Sequence, residues 1–283
     1  HTRAFSERRF SQPPPRRDNR GSARFFDALL ILAFTVFLLL PLLAIITRGY
    51  PGLATLPMLD PQTPLFQATV KSLAIAVPAG VLAVIATLAI VAAGHFPKVK
   101  TVTHSAGYLP LIVPPLVLGT GLFLLLRPSL GATSQGILLV TLINAMMALP
   151  FILQLIRGPL ASLDQPSRQQ ADQLGILGWY RWRWLHWPRL KRPLALALAY
   201  GIGLSLGDFG VIALFGSPGE PTLPVLLYQQ LGSYKLVAAA ATGLWLIVLL
   251  LMIFSLAHVL TRAARLRPLA QPQNVSVMDI SHA

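Results

Sequence analysis

Groups able to do chemistry are few and scattered in this chain of 283 residues. It contains no cysteine, which excludes a thiol nucleophile, a thiolate metal site and a disulfide frame. His95, His104 and His186 fall in polar stretches and His258 near the end of an apolar one. None stands at a catalytic spacing from Asp, Glu or Ser, which argues against a membrane-embedded enzyme. Gly201 and Gly203 lack the lysine and strand context of a phosphate loop, so no nucleotide chemistry belongs here. What remains is Asp208, a carboxylate within an apolar run, with Asn144 within another. An ionisable group inside a membrane span is costly unless it meets a wet cavity or a partner. Asp208 and Asn144 are therefore candidates for a translocation path. The alternative for Asp208 is to satisfy a neighbouring helix or to lie near a hydrated surface. Its chemistry would be electrostatic, the attraction of a cation into a partly desolvated path.

The second candidate region runs from Gln169 to Pro188, a basic, polar interruption holding four of the five tryptophans. Pro166 suits a first helical turn, Gly175 can end that helix with positive φ, and a second helix can start at Trp179 before Pro188 stops it. At helical spacing Trp179, Trp182 and Leu185 form one apolar patch and Tyr180, Trp184 and Trp187 another. Lipid headgroups can cover one side and protein the other; an anchor helix without a partner is the competing reading.

The elements that must position these residues follow from composition. With 54% hydrophobic residues, 11% charged and a mean hydropathy of +0.65, the chain has too little polar residue to cover a soluble globule. It reads as an all-α, polytopic membrane bundle of six transmembrane helices, at about 25–47, 68–93, 107–126, 136–156, 194–214 and 236–260, each near the ~20 residues a bilayer needs. Barrel strands would alternate with a period of two, and these runs do not. Residues 1–24 form a basic, Pro-rich cytoplasmic linker or tail, 25–260 the six-helix transmembrane bundle with a cytoplasmic loop at 157–193, and 261–283 a cytoplasmic tail. The chain opens on His1, so the reading expects a longer polypeptide or a processed one.

Charge then sets orientation. With the amino terminus inside, 19 of the 23 Lys and Arg lie in cytoplasmic segments, and Lys71 sits near the outer end of the second span, where it can snorkel. The basic excess, a formal +14, is explained by topology, without nucleic acid.

Several spans are interrupted. Pro110, Pro114 and Pro115 predict a bent third span, and Pro150 a bent fourth. Gly203, Gly207 and Gly210 put bare backbone along one face of the fifth, where a neighbouring helix can approach. A short interfacial or gating helix, or else a passive connection, starts near Pro224, and Tyr228 and Tyr234 fit an aromatic belt.

On these residues the chain resembles the type I ABC importer permeases. The spacing from Gln169 through Ala171 and Gly175 to Pro188 is similar to that family's EAA loop, although Gln169 and Gln170 replace the usual Glu and Ala and Trp187 replaces a leucine. The resemblance implies that Gln169, Gln170, Ala171, Leu174, Gly175, Trp182, Leu185 and Pro188 belong to a coupling loop docking on a separate ATP-binding subunit. The run Leu206–Gly216, with Thr222, Leu223, Pro224 and Leu227–Tyr234, is similar to the thiamine and thiamine pyrophosphate permeases, whose chains resemble two fused halves; this chain resembles the second. The resemblance further implies an inner-membrane location, a second permease half, a periplasmic substrate-binding protein, no cofactor on this chain, and ATP with Mg on the partner ATPase. Ferric iron or a polyamine is the alternative substrate, and an ATP-independent carrier the alternative mechanism; a carrier would show paired broken spans and ionisable coupling sites not found here.

Overall fold

The computed structural model describes residues 21–55, 60–93, 107–126, 132–161, 180, 183, 187–216, 219 and 221–262. All regular elements among them are helices: α1 (Gly21–Thr55), α2 (Pro64–Ala93), α3 (Leu109–Ile112), α4 (Pro115–Leu126), α5 (Ala132–Ala161), α6 (Trp187–Leu206), α7 (Gly210–Phe215), α8 (Leu223–Gly232) and α9 (Leu236–Arg262).

Four of these are long and apolar enough to cross a membrane, within α1, α2, α5 and α9. The expected third and fifth spans are each broken. The third splits at Val113 and Pro114 into α3 and α4, because Pro114 and Pro115 each lack the amide that would close a helical bond. The fifth splits at Gly207–Phe209 into α6 and α7. It also starts earlier than expected, at Trp187. Pro188 falls in its first turn, where a proline has no hydrogen bond to lose; the expected helix from Trp179 lies mostly outside the described residues.

The centre of the bundle is the packing of α2, α5 and α6 on one another. The buried face of α2 is made of small residues, Ala68, Ser72, Ala76, Ala79, Gly80 and Ala83, which let backbones meet where lipid offers no hydrophobic drive to association. A Cβ added at Gly80 would lie 2.7 Å from Ile202 Cγ1 and 2.9 Å from its backbone nitrogen; one at Gly201 would lie 3.1 Å from Gly80 Cα. Ile143, Ile152 and Ile156 of α5 fill the remaining space.

Around this centre, α9 packs on α6 and α8, while α1 lies outside against α9. The apolar window of α1 has no buried residue, as suits a helix facing lipid or another subunit. Its approach to α9 is also bare: a Cβ at Gly49 would sit 2.5 Å from Ala240 O. Threonine hydroxyls on these helices mostly close on their own turn, as Thr87 does onto Ala83 O at 2.8 Å, which satisfies the donor in an apolar medium.

Candidate functional site

The break between α6 and α7 gathers three polar residues, Asn144, Ser205 and Asp208. Helical bonding runs out at Gly207, whose N–H donates to Gly203 O at 3.1 Å, and the Asp208 N–H bends back to Ser205 O at 3.3 Å. The chain restarts as α7 with the Asp208 side chain over its first turn, where Oδ1 accepts the Val211 N–H at 3.4 Å. A carboxylate here satisfies an amide that has no intrahelical acceptor and complements the positive end of the helix.

Directly against this break stands Asn144 of α5. Its Nδ2 donates to Ser205 Oγ at 2.9 Å, both residues being buried, and its side chain lies beside the Asp208 carboxylate. The two path candidates, far apart in sequence, therefore share one site, with Ser205 as a third member that the sequence reading missed. Nothing marks Ser205 in the sequence: a lone serine in an apolar helix is ordinarily bonded to its own preceding turn. Asp208 Oδ2 is shut off from solvent and has no hydrogen-bond partner among the described residues. Oδ2 is thus an open acceptor, the electrostatic complement of a positive group or a donor. Among the described residues there is no cluster of three His, Cys, Asp or Glu for a metal.

The glycines proposed for packing divide. Gly203 faces Leu250 and Phe254 of α9, where an added Cβ would lie at an ordinary contact distance of 3.4 Å from each. At Gly207 the nearest atoms are carbonyls of its own helix, and at Gly210 the Asp208 carboxylate, so both serve the break more than a helix approach. Close approaches between helices fall instead at Gly80 and Gly201, and at Gly49 of α1.

On the other flank, α8 is pinned to the bundle. The Leu223 N–H donates to Ser72 Oγ of α2 at 2.8 Å, and Thr242 Oγ1 of α9 donates to Gln230 Oε1 at 2.8 Å. Trp245 Nε1 of α9 donates to Thr69 Oγ1 of α2 at 3.0 Å. Tyr228, exposed, stacks obliquely on Phe209 at the break, ring centroids 4.8 Å apart. Tyr234 takes φ +57 to close the turn into α9.

Of the coupling-loop residues, Gln169, Gln170, Ala171, Leu174, Gly175, Trp182 and Leu185 lie outside the described residues. Pro188 lies in the first turn of α6, beside an exposed Trp187. Between Gln169 and His186 the described residues are Tyr180, helical and exposed, and Arg183, exposed.

Residues 85–266 match the family described as binding-protein-dependent transport system inner membrane component. The chain is similar to the thiamine transport system permease protein ThiP of Escherichia coli K12, 38% identical over 244 residues, covering 84% of this chain and 45% of that one. It is similar to ThiP of Brucella abortus 2308 at 35% over 259 residues, covering 90% of this chain and 46% of that one. The chain thus spans about half the length of the curated relatives it matches. In fold it is similar to a chain of a bacterial alginate ABC transporter solved with an alginate pentasaccharide-bound periplasmic protein, with a TM-score of 0.59, 16% identity, and coverage of 86% of this chain and 96% of that one. A bundle of apolar helices, broken at a half-buried carboxylate and matched over most of its length, belongs to the family of binding-protein-dependent transport system inner membrane components.

Proposed function

We propose that this chain is one half of the permease of an ATP-driven importer that carries thiamine or thiamine pyrophosphate across the inner membrane. The observation that carries the substrate is the identity of 35–38% to thiamine permeases over 84–90% of the chain. The site agrees with it, because a cationic ring is the group that a half-buried, half-satisfied carboxylate at Asp208 attracts.

In this reading both termini and the 157–193 loop are cytoplasmic. A separate subunit binds ATP and Mg and receives the loop between Gln169 and Pro188, a second permease half completes the path, and a periplasmic protein delivers substrate. Helix α6 begins at Trp187, directly after the loop, and its 20 residues make a rod of roughly 30 Å. The rod ends at Ser205 and Asp208. Movement of the loop by the ATPase would therefore arrive at the break, where α7 can turn independently of α6, and the bundle would exchange outward for inward access.

The test is uptake by the full transporter, with its ATPase and binding protein, in proteoliposomes. Thiamine uptake should require ATP, and Asp208→Asn should lower it about ten-fold at limiting thiamine with protein amount unchanged. Undiminished uptake in that variant would remove the carboxylate from the path; ATP-independent uptake would sink the importer reading. A bulky residue at Gly175 should uncouple ATP hydrolysis from substrate.

A further inference from the structure

The break between α6 and α7 also has an open face. Asn144, whose side chain lies beside Asp208, stands eight residues inside the apolar span that begins at Gly136, roughly 12 Å along the helix axis. The break is therefore at the depth of the lipid tails. Gly207 and Gly210 are both exposed there, and a glycine exposes nothing but backbone. Irregular backbone turned to lipid finds no donor or acceptor, so at this depth it persists only against water or protein. The face that shows Gly207 and Gly210 is thus turned away from lipid.

Two aromatic rings meet at this break. Phe209, next in the chain after Asp208, is 37% exposed, and Tyr228 of α8 is 61% exposed. Their centroids lie 4.8 Å apart and their planes are inclined at 42°, so the two rings leave part of each other's faces uncovered. Tyr234, in the turn before α9, has the position of a belt residue, whereas Tyr228 is held on the break itself. The face of an aromatic ring is negative and attracts a cation, and the neighbouring carboxylate adds a full charge of the same sign. A flat, cationic ring gains from both, while a small metal ion, strongly hydrated, gains little from the rings. We propose that Phe209 and Tyr228 form a stacking platform on the wall of the transport path, where the cationic ring of the substrate rests beside Asp208. The inference rests on the proposed function and names two residues that select its substrate class.

The experiment is thiamine uptake at limiting concentration by the full transporter, with ATPase and binding protein, in proteoliposomes. Tyr228→Leu and Phe209→Leu, which keep apolar bulk and remove the ring, should each lower uptake about ten-fold with protein amount unchanged. Tyr228→Phe, which keeps the ring, should restore it. Labelling gives a readout independent of transport: Phe209→Cys places a thiol in a chain that has none, a water-soluble methanethiosulfonate should modify it, and excess thiamine should slow that modification. Wild-type uptake in both leucine variants overturns the platform. So does equal loss in Tyr228→Leu and Tyr228→Phe, which would assign the effect to the hydroxyl. A thiol that the reagent never reaches overturns it as well, the result expected if the second permease half covers this face, and so does labelling that thiamine leaves unslowed. Each of these outcomes leaves the importer reading standing, whereas a wild-type complex that carries no thiamine overturns that reading and the platform with it.

Discussion

Helix α6 carries two contrasting regions a few residues apart. At Gly201 and Ile202 it lies bare backbone against Gly80 of α2, with Ile152 of α5 alongside, and no polar side chain intervenes. At Ser205 to Asp208 its regular bonding stops; Asp208 Oδ1 accepts the Val211 N–H, and Asn144 donates to the Ser205 hydroxyl beside it. In an apolar medium small residues let helices approach until van der Waals packing holds them, and such a contact resists sliding or bending. A break in the ladder exposes amides and carbonyls that must be satisfied locally, so it draws polar side chains to itself. The first region makes α6 a rod, and the second gives that rod a joint.

The contrast is most directly broken at Gly80. Gly80→Val forces branched carbon into the Ile202 backbone, which flexible side chains cannot relieve, and should cost about 3 kcal/mol or prevent accumulation of folded protein. Detergent-solubilised protein with an unchanged melting temperature would show the crossing to be loose. A smaller effect belongs to the joint: Asn144→Leu deletes the bond to Ser205, a loss of about 0.6–1.7 kcal/mol on the scale of hydrogen bonds between membrane helices. Transport in this variant should fall further than stability does, and proportionate loss would mean that the bond is purely structural. The smallest effect has the opposite sign. Gly203→Ala meets Leu250 and Phe254 at an ordinary 3.4 Å, so removing a glycine from a helix interior should stabilise by about 0.5–1 kcal/mol. A destabilised Gly203→Ala would extend the tight crossing along the whole helix and blur the distinction between rod and joint.

Much of this was legible from the chain. Long apolar runs announced the membrane helices, Pro114 and Pro115 the broken third span, and Pro224 the start of the short α8. Asp208 and Asn144 stood out because polar groups are expensive in such runs. Less legible was the glycine pattern. Gly203, Gly207 and Gly210 share a spacing that reads as a packing face, whereas the close approaches at the α2–α6 crossing occur at Gly80 and Gly201, which share no motif in the sequence. Spacing within one helix cannot reveal which neighbour it meets. The break at Gly207–Phe209 was hidden for a similar reason, since no proline interrupts that run.

By itself, then, the sequence determined the medium, the class of fold and the identity of the costly residues, because transfer of side chains into lipid is a local quantity summed along the chain. Only the tertiary structure decided that Asn144 meets Ser205, that Asp208 stands at a helix start and that Thr222 is buried with its hydroxyl idle. Those facts depend on which helices touch and at what height, and that is settled by the packing of separate elements against one another.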